Sequence, residues 1–362
     1  MRRIWKLTAI CMINLACLSA GFPAHADLKS DESCLFYPSQ AYRTDAGRWE
    51  VPLRGWVYEP EEHALIRTGL LAAFRRLFGR DWTGDESELF TSRARWFLAD
   101  SEGGKSVTVR VGDARHPVGP SDSDGRLKAT FPLSEFALTS ADGGGWVSLA
   151  VEREPGILSP RSSWVQPVPP AGLSVISDID DTIKVTGVSD RRELLRNTFL
   201  RPFMAVQGMA GLYADWAGQG AVFHYVSGSP WQLYPVLSEF FEKEGFPRGG
   251  YYLRDFSLGP SGLADILSAP KDDKARWIGI LMDRYPGRRF ILVGDSGEAD
   301  PEIYGEVARS HPGQVTLILI RNVTGEGRED KRYADAFLHL PPELWQLFST
   351  GDQLQTALPS IR

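Results

Sequence analysis

The chain has 362 residues, too many for one domain of ordinary size, so its length predicts two. With 43% hydrophobic and 24% charged residues it can build sizeable cores, which argues against global disorder. A formal net charge of −6 lacks the basic footprint that nucleic-acid binding wants.

At the start, Arg2, Arg3 and Lys6 precede an apolar run from Leu7 to Phe22, followed by the small-x-small pattern Ala24-His25-Ala26. This predicts a signal peptide over 1–26, cleaved near Ala26, and a periplasmic or secreted chain. The run falls short of the ~20 residues that spanning requires. The alternatives are an uncleaved anchor or lipoprotein modification at Cys17, the latter ill suited by Asn14. Cys11 and Cys17 lie in this segment. No other cysteine then remains for Cys34 to form an intrachain disulfide, and it reads as a small hydrophobe rather than a reactive thiol. No CxxC or HxxxH spacing occurs, so no Cys/His zinc site is expected.

Residues 27–152 read as a β-rich, sandwich-like domain. Runs at 49–60, 93–100, 106–113, 126–133 and 145–152 alternate or cluster β-formers, with Gly, Asp and Ser stretches between them. One helix interrupts them within 61–79, where Leu65, Ile66, Leu70, Phe74 and Leu77 take helical spacing. Its arginines Arg67, Arg75 and Arg76 suit a solvated face; the expectation is a helix packed on the sandwich rather than one lying on lipid. The proline-rich, aperiodic tract 153–172 reads as a linker.

From 173 to 362 the rhythm becomes βα alternation. Strands at 173–178, 221–228 and 289–297 and the run "VTLILIRNV" alternate with amphipathic helices. This predicts an α/β domain with a doubly wound parallel sheet, whose ligands bind beyond the carboxyl ends of the strands. Three strands end there in polar clusters: Asp178-Ile179-Asp180-Asp181-Thr182, Ser227-Gly228-Ser229 and Gly294-Asp295-Ser296. One aspartate at a strand end is ordinary turn or capping chemistry. Three carboxylates within four residues repel one another and call for a cation. Asp295 and Asp300 add two more, without His or Cys, which favours Mg2+ and with it phosphoryl chemistry. Ser227 can donate to a phosphate oxygen, and Lys274 can supply positive charge.

Asp178-x-Asp180-x-Thr182, a strand ending at Ser227, Lys274, and Gly294-Asp295 with Asp300 five residues after Asp295 together resemble the four motifs of the haloacid dehalogenase superfamily. The stretches "SDIDDTIKVTGV", "YVSGSPWQLYP", "RDFSLG" and "RRFILVGDSGEADPEIY" are more specifically similar to the actin-patch-associated phosphatidate phosphatase catalytic domain, over about 170–325. The resemblance implies a haloacid-dehalogenase-like Rossmannoid domain that hydrolyses phosphatidate at a membrane surface. It implies Asp178 as nucleophile, Asp180 as general acid and base with a raised pKa, and Thr182 within the same motif. Ser227, Gly228, Ser229, Lys274 and Arg254 would contact substrate. Mg2+ would be held by Asp178, the carbonyl of Asp180 and Asp295, supported by Asp300. Lys271 is the alternative lysine. Asp181 departs from the superfamily, where glycine is commonest. Another phosphomonoester or a lysophospholipid is the alternative substrate; a lipid-binding scaffold with a vestigial phosphatase domain is the alternative class. Oligomeric state is left open.

Other features have plainer readings. "GDSGE" at 294–298 resembles a serine-protease nucleophile stretch, but its place between a buried strand and a helix argues against one. Trp231 and Tyr234 read as helix packing more than acyl-chain contacts. Arg254-Asp255 suits either a phosphate contact or a surface ion pair. His224, inside a strand, reads as a core histidine. Arg321 follows the last strand without an assigned task.

Overall fold

The computed structural model describes residues 27–60, 82–154, 157–158, 163–256 and 271–358. The expected signal peptide (1–26) and the helix within 61–79 lie outside the described residues.

The N-terminal half forms β1 (Ser33–Phe36), β2 (Ser39–Arg43), β3 (Trp49–Glu59), α1 (Gly84–Leu98), β4 (Asp100–Ser101), β5 (Val107–Val111), β6 (Ala114–Val118), β7 (Arg126–Pro132), α2 (Glu135–Thr139), β8 (Val147–Glu154), β9 (Ile157–Leu158) and β10 (Ser163–Pro167). Alternation decides the strands: Val51 and Leu53 of β3, and Val107, Val109 and Val111 of β5, turn inward while their neighbours face outward. The strand path runs β1-β3-β2-β10-β8-β5-β6. Its two halves enclose one core that joins Val51, Leu53 and Leu127 to Val109, Leu149 and Val165. A β-rich, sandwich-like unit is thus present.

Two expectations fail here. The run 93–100 is not a strand but mostly the second half of α1. A capping box starts that helix: the Thr83 hydroxyl accepts from Glu86 N, and the Glu86 carboxylate accepts from Thr83 N. Phe90, Ala94 and Phe97 then fall on one buried face. Nor is 153–172 simply a linker, because β10 lies within it, parallel to β2 and antiparallel to β8.

The second half forms β11 (Gly172–Ser177), α3 (Arg191–Phe199), α4 (Met209–Gly218), β12 (Val222–Pro230), α5 (Tyr234–Glu244), β13 (Gly249–Arg254), α6 (Lys271–Arg284), β14 (Arg288–Asp295), α7 (Asp300–Ser310), β15 (Val315–Arg321), α8 (Lys331–Ala336) and β16 (Trp345–Phe348). The six strands lie parallel in the order β13-β12-β11-β14-β15-β16. Apolar clusters cover both faces, so β11 and β14 are buried nearly throughout. β13 and β16, which the sequence did not announce, extend the two edges.

The two halves share buried surface. Trp56, Phe90 and Phe97 join the apolar cluster of Phe199, Trp231 and Phe256. Arg93 of α1 donates to the carbonyls of Thr198 and Arg201 at 2.7 and 2.8 Å, capping the end of α3. Burial pushes its guanidinium down to about 10. Trp231 and Tyr234 pack against Tyr37 at 4.1 and 5.1 Å, as the packing reading expects. No described helix is long and apolar enough to cross a membrane.

Candidate active site

The site begins with strand register. β11 pairs β14 with Ser177 opposite Val293, and Asp178 N donates to Val293 O at 2.8 Å. The carboxyl ends of the two central strands, with Asp178 and Asp295, therefore lie side by side. Both aspartates are fully buried. Asp178, Asp295 and Glu298 each offer a carboxylate oxygen, and these lie within 4.8 Å of one another.

Lys274, in the second turn of α6, enters this cluster. Its ammonium lies 3.1 Å from Asp178 Oδ1, 2.9 Å from Glu298 and 2.5 Å from Asp300 Oδ1. Burial opposes its charge, but the surrounding carboxylates outweigh that and push its pKa well above the usual lysine value. Lys271 begins the same helix, one turn earlier. Asp300 has both oxygens committed: Oδ1 accepts from Lys274, and Oδ2 accepts from Asp295 N at 3.1 Å. It orients its neighbours rather than offering a free ligand atom. Gly294 is what admits it, since a Cβ there would stand 2.2 Å from Asp300 Oδ2.

The remaining acids differ sharply. Asp178 accepts from the Thr182 hydroxyl at 3.0 Å through Oδ2, while Oδ1 meets the Lys274 ammonium. Burial, reinforced by Asp300, Glu298 and Asp295, pushes its pKa well up despite Lys274. Asp295 is raised for the same reasons, burial first and then Asp300 and Glu298. Its Oδ1 accepts from Gly297 N and Glu298 N, while its buried Oδ2 accepts no hydrogen bond. A buried orphan oxygen beside like-charged carboxylates fits a hard divalent cation.

Asp180 lies outside that cluster. Lys184 Nζ is 2.7 Å away, Thr186 Oγ1 2.8 Å, Ser229 Oγ 2.7 Å and Ser227 Oγ 3.2 Å. Burial favours its neutral form, but Lys184 and these hydroxyls outweigh it and hold the carboxyl at about 2. The expectation of a raised pKa is corrected: the crowding acids surround Asp178, whereas Asp180 faces a lysine. Lys184 was not singled out from the sequence, although it stands four residues after Asp180. Glu298 was also missed, although it follows Asp295 by three. Its acidic side chain so close to Asp295 was the available signal.

Ser227 and Ser229, two apart on β12, share one side of the chain and so both reach Asp180. The β12–β13 register breaks between Val226 and Pro230 around them. Gly228 turns its carbonyl the other way, onto Arg254 Nε at 3.1 Å. Arg254 is thus placed behind the Ser227–Ser229 turn, and Asp255 forms an ion pair with Arg54 at 3.3 Å. Arg321, unassigned from sequence, donates to Asp181 O at 2.6 Å. Asp181 takes a left-handed conformation, φ +54, where glycine is otherwise favoured. Its side chain earns that place by accepting from Thr186 N, Gly187 N and Val188 N at 2.6–2.9 Å. His224 is the expected core histidine, bonded to Gln40 and Ser174.

Asp178, Lys274, Asp295 and Glu298 fall within the stretch that matches known proteins. The family model for the catalytic domain of phosphatidate phosphatase APP1 matches residues 173–322. An uncharacterized protein of Schizosaccharomyces pombe is 36% identical over 160 residues, covering 43% of this chain and 26% of that protein. The phosphatidate phosphatase APP1 of Saccharomyces cerevisiae is 37% identical over 158 residues, covering 42% of this chain and 26% of that protein. The chain thus aligns with about a quarter of the length of the curated relatives it matches. The likeness to the phosphatidate phosphatase APP1 catalytic domain thus rests on residues 173–322.

Proposed function

We propose that this chain is a Mg2+-dependent phosphatase of the haloacid dehalogenase type, hydrolysing phosphatidate to diacylglycerol and phosphate. The observation that carries the chemistry is the convergence of Asp178, Asp295 and Glu298 at one strand edge, with Lys274 against Asp178. The substrate follows from the relative named as a phosphatidate phosphatase.

In the first step a carboxylate oxygen of Asp178 attacks phosphorus. The bond from phosphorus to the glycerol oxygen breaks, leaving an aspartyl-phosphate and an alkoxide. Asp180 gives that alkoxide a proton. Water then attacks phosphorus, Asp180 takes its proton, and phosphate leaves with Asp178 regenerated. Because the arrangement described holds Asp180 ionised, it must first leave Lys184 and take up a proton from solvent. Lys274 and Ser227 bind the phosphoryl oxygens and stabilise charge in the transition state. Thr182 fixes the Asp178 side chain through its hydroxyl. Asp178, Asp295 and Glu298 would hold Mg2+, with Asp300 orienting Asp295 and Lys274. When bound, the cation favours ionised Asp178 and neutralises substrate charge.

The test is phosphate release by the full chain on phosphatidate micelles and on a soluble phosphomonoester, with Asp178→Asn as control. Preference for phosphatidate that the variant abolishes is expected. Equal turnover of the soluble ester would keep the mechanism and remove the lipid. No release from either, or release that survives Asp178→Asn, would overturn the phosphatase reading.

A further inference from the structure

We propose that the groove between the β-rich unit and α6 is a second anion site, which takes the phosphate of an acidic phospholipid headgroup and holds the enzyme on the surface that carries its substrate. The site is separate from the carboxylate cluster, and its membrane role rests on the lipid phosphatase reading.

The groove encloses about 420 Å³, within the range of small-molecule sites. Arg54 and Lys128 line it from β3 and β7, and Arg276 and Arg284 line it from α6. No carboxylate is among its described lining residues. Trp277 organises the cations. Arg54 lies over its ring at 4.5 Å and Arg276 at 4.6 Å, so one indole holds two guanidinium groups. Contact with the ring restrains both guanidinium groups, and the N–H donors not held by Asp255 and Asp273 can grip a phosphate. Arg284 lies over the ring of Tyr42 at 5.3 Å.

Compensation by the protein is incomplete. Asp255 is shared by Arg54 at 3.3 Å, Lys128 at 3.7 Å and Arg126 at 3.9 Å. Asp273 pairs with Arg276 at 3.2 Å. Arg284 has no ion pair among the described residues. Four lining cations thus meet two carboxylates, neither of which lines the groove. Burial, and then Arg276 and Arg284, press the Arg54 pKa downward, against the pull of Asp255. A bound anion relieves that repulsion.

Position links this groove to the active site. Lys274 and Arg276 stand two residues apart on α6, which sends them to different sides of the helix. Lys274 reaches the catalytic carboxylates and Arg276 lines the groove. One helix thus carries a residue of each site.

The test is co-sedimentation of the full chain with phosphatidylcholine vesicles, with and without phosphatidylglycerol. Phosphatidylglycerol is a phosphodiester, not a monoester substrate, so this readout is independent of turnover. The wild type should bind only the acidic vesicles. Arg276→Gln and Arg284→Gln, each on a partly or fully exposed side chain, should each weaken binding about fivefold. Release of phosphate from a soluble phosphomonoester should stay unchanged in both. Lys243→Gln, outside the groove, should bind as wild type. Equal binding by the groove variants, an equal loss in Lys243→Gln, or no preference for acidic vesicles would overturn the site. Displacement from vesicles by inorganic phosphate at low concentration would overturn the headgroup as occupant and assign the groove to free phosphate. Failure of phosphatidate turnover with groove-dependent binding intact would count against the proposed reaction alone.

Discussion

The ammonium of Lys274 lies between Asp178 Oδ1, at 3.1 Å, and Asp300 Oδ1, at 2.5 Å. It therefore serves two ends. It compensates acids that are buried without solvent, and in the proposed reaction it would meet a phosphoryl oxygen at Asp178. Lys274→Met keeps the length of the side chain and removes the charge. It should lower kcat by at least about a hundredfold, the scale seen when one transition-state donor is lost. It should also lower stability by about 3–5 kcal/mol, because it strands the carboxylates of a buried ion pair. Steady-state kinetics and urea unfolding check the two effects separately. Activity within tenfold of wild type, about 1.4 kcal/mol in barrier, would remove Lys274 from the reaction.

The carboxylate cluster makes a prediction independent of turnover. Asp178 and Asp295 are pushed toward their neutral forms by burial and mutual repulsion, which a divalent cation reverses. Adding Mg2+ should raise the melting temperature, by the equivalent of about 2.7 kcal/mol at a hundred times Kd. Asp295→Asn removes a ligand charge and should abolish most of that rise. EDTA should abolish turnover and Mg2+ restore it. An Asp295→Asn variant that still responds fully to Mg2+ would place the cation elsewhere.

The polar strand ends were legible because βα alternation fixes where strands stop, and the acids clustered at those stops. The partners that tune them were not. Lys184 looks like any loop lysine until its ammonium reaches Asp180, and Glu298 lay inside a stretch that drew attention to its serine instead. Strand prediction worked for β3 and β5, where alternation over several residues is its own signal. It failed at 93–100, where the window began inside a helix whose capping box lies ten residues upstream, at Thr83. β10, β13 and β16 are short, and each owes its existence to pairing: β10 with β2, β13 with β12, and β16 with β15. Such pairing is not written in local periodicity. Gln40, which reaches across to Phe223 O and His224, carried no signal at all.

Asp181 separates backbone strain from side-chain bonding. Its φ of +54 favours glycine, while its carboxylate secures three successive amides of the following loop. Asp181→Gly loses the bonds, about 2 kcal/mol in all, but sheds the left-handed strain, about 1 kcal/mol. Asp181→Ala loses the same bonds and keeps that strain. Urea midpoints should therefore order wild type above glycine and glycine above alanine. An alanine variant as stable as the glycine variant would contradict the strain argument.

His224 ties the two halves together and makes their union sensitive to acid. Its Nδ1 lies 2.6 Å from Gln40 Oε1, and its Nε2 lies 3.0 Å from Ser174 Oγ, which also accepts from Arg288 Nε at 2.7 Å. The carbonyl oxygen of Gln40 needs a proton on Nδ1, and Nε2 then accepts from Ser174. Tyr252, Tyr285 and Phe290 pack around it, with ring centres 6.3, 5.7 and 6.3 Å away. Burial, and then the charge of Arg288, push the pKa of His224 well below the usual histidine value. The unfolded chain takes up a proton near pH ~6.5 that the folded protein refuses. This contribution to stability is complete above that value. It is lost as pH falls below it, at about 1.4 kcal/mol per pH unit until the folded-state pKa is reached. His224→Gln cannot titrate, so its urea midpoint should fall less than that of the wild type between about pH 6.5 and about pH 5. The variant should be weaker than wild type near neutrality, where the imidazole bonds are intact, and the gap should narrow on acidification. Parallel pH profiles for the two proteins would show that the acid response arises from other groups.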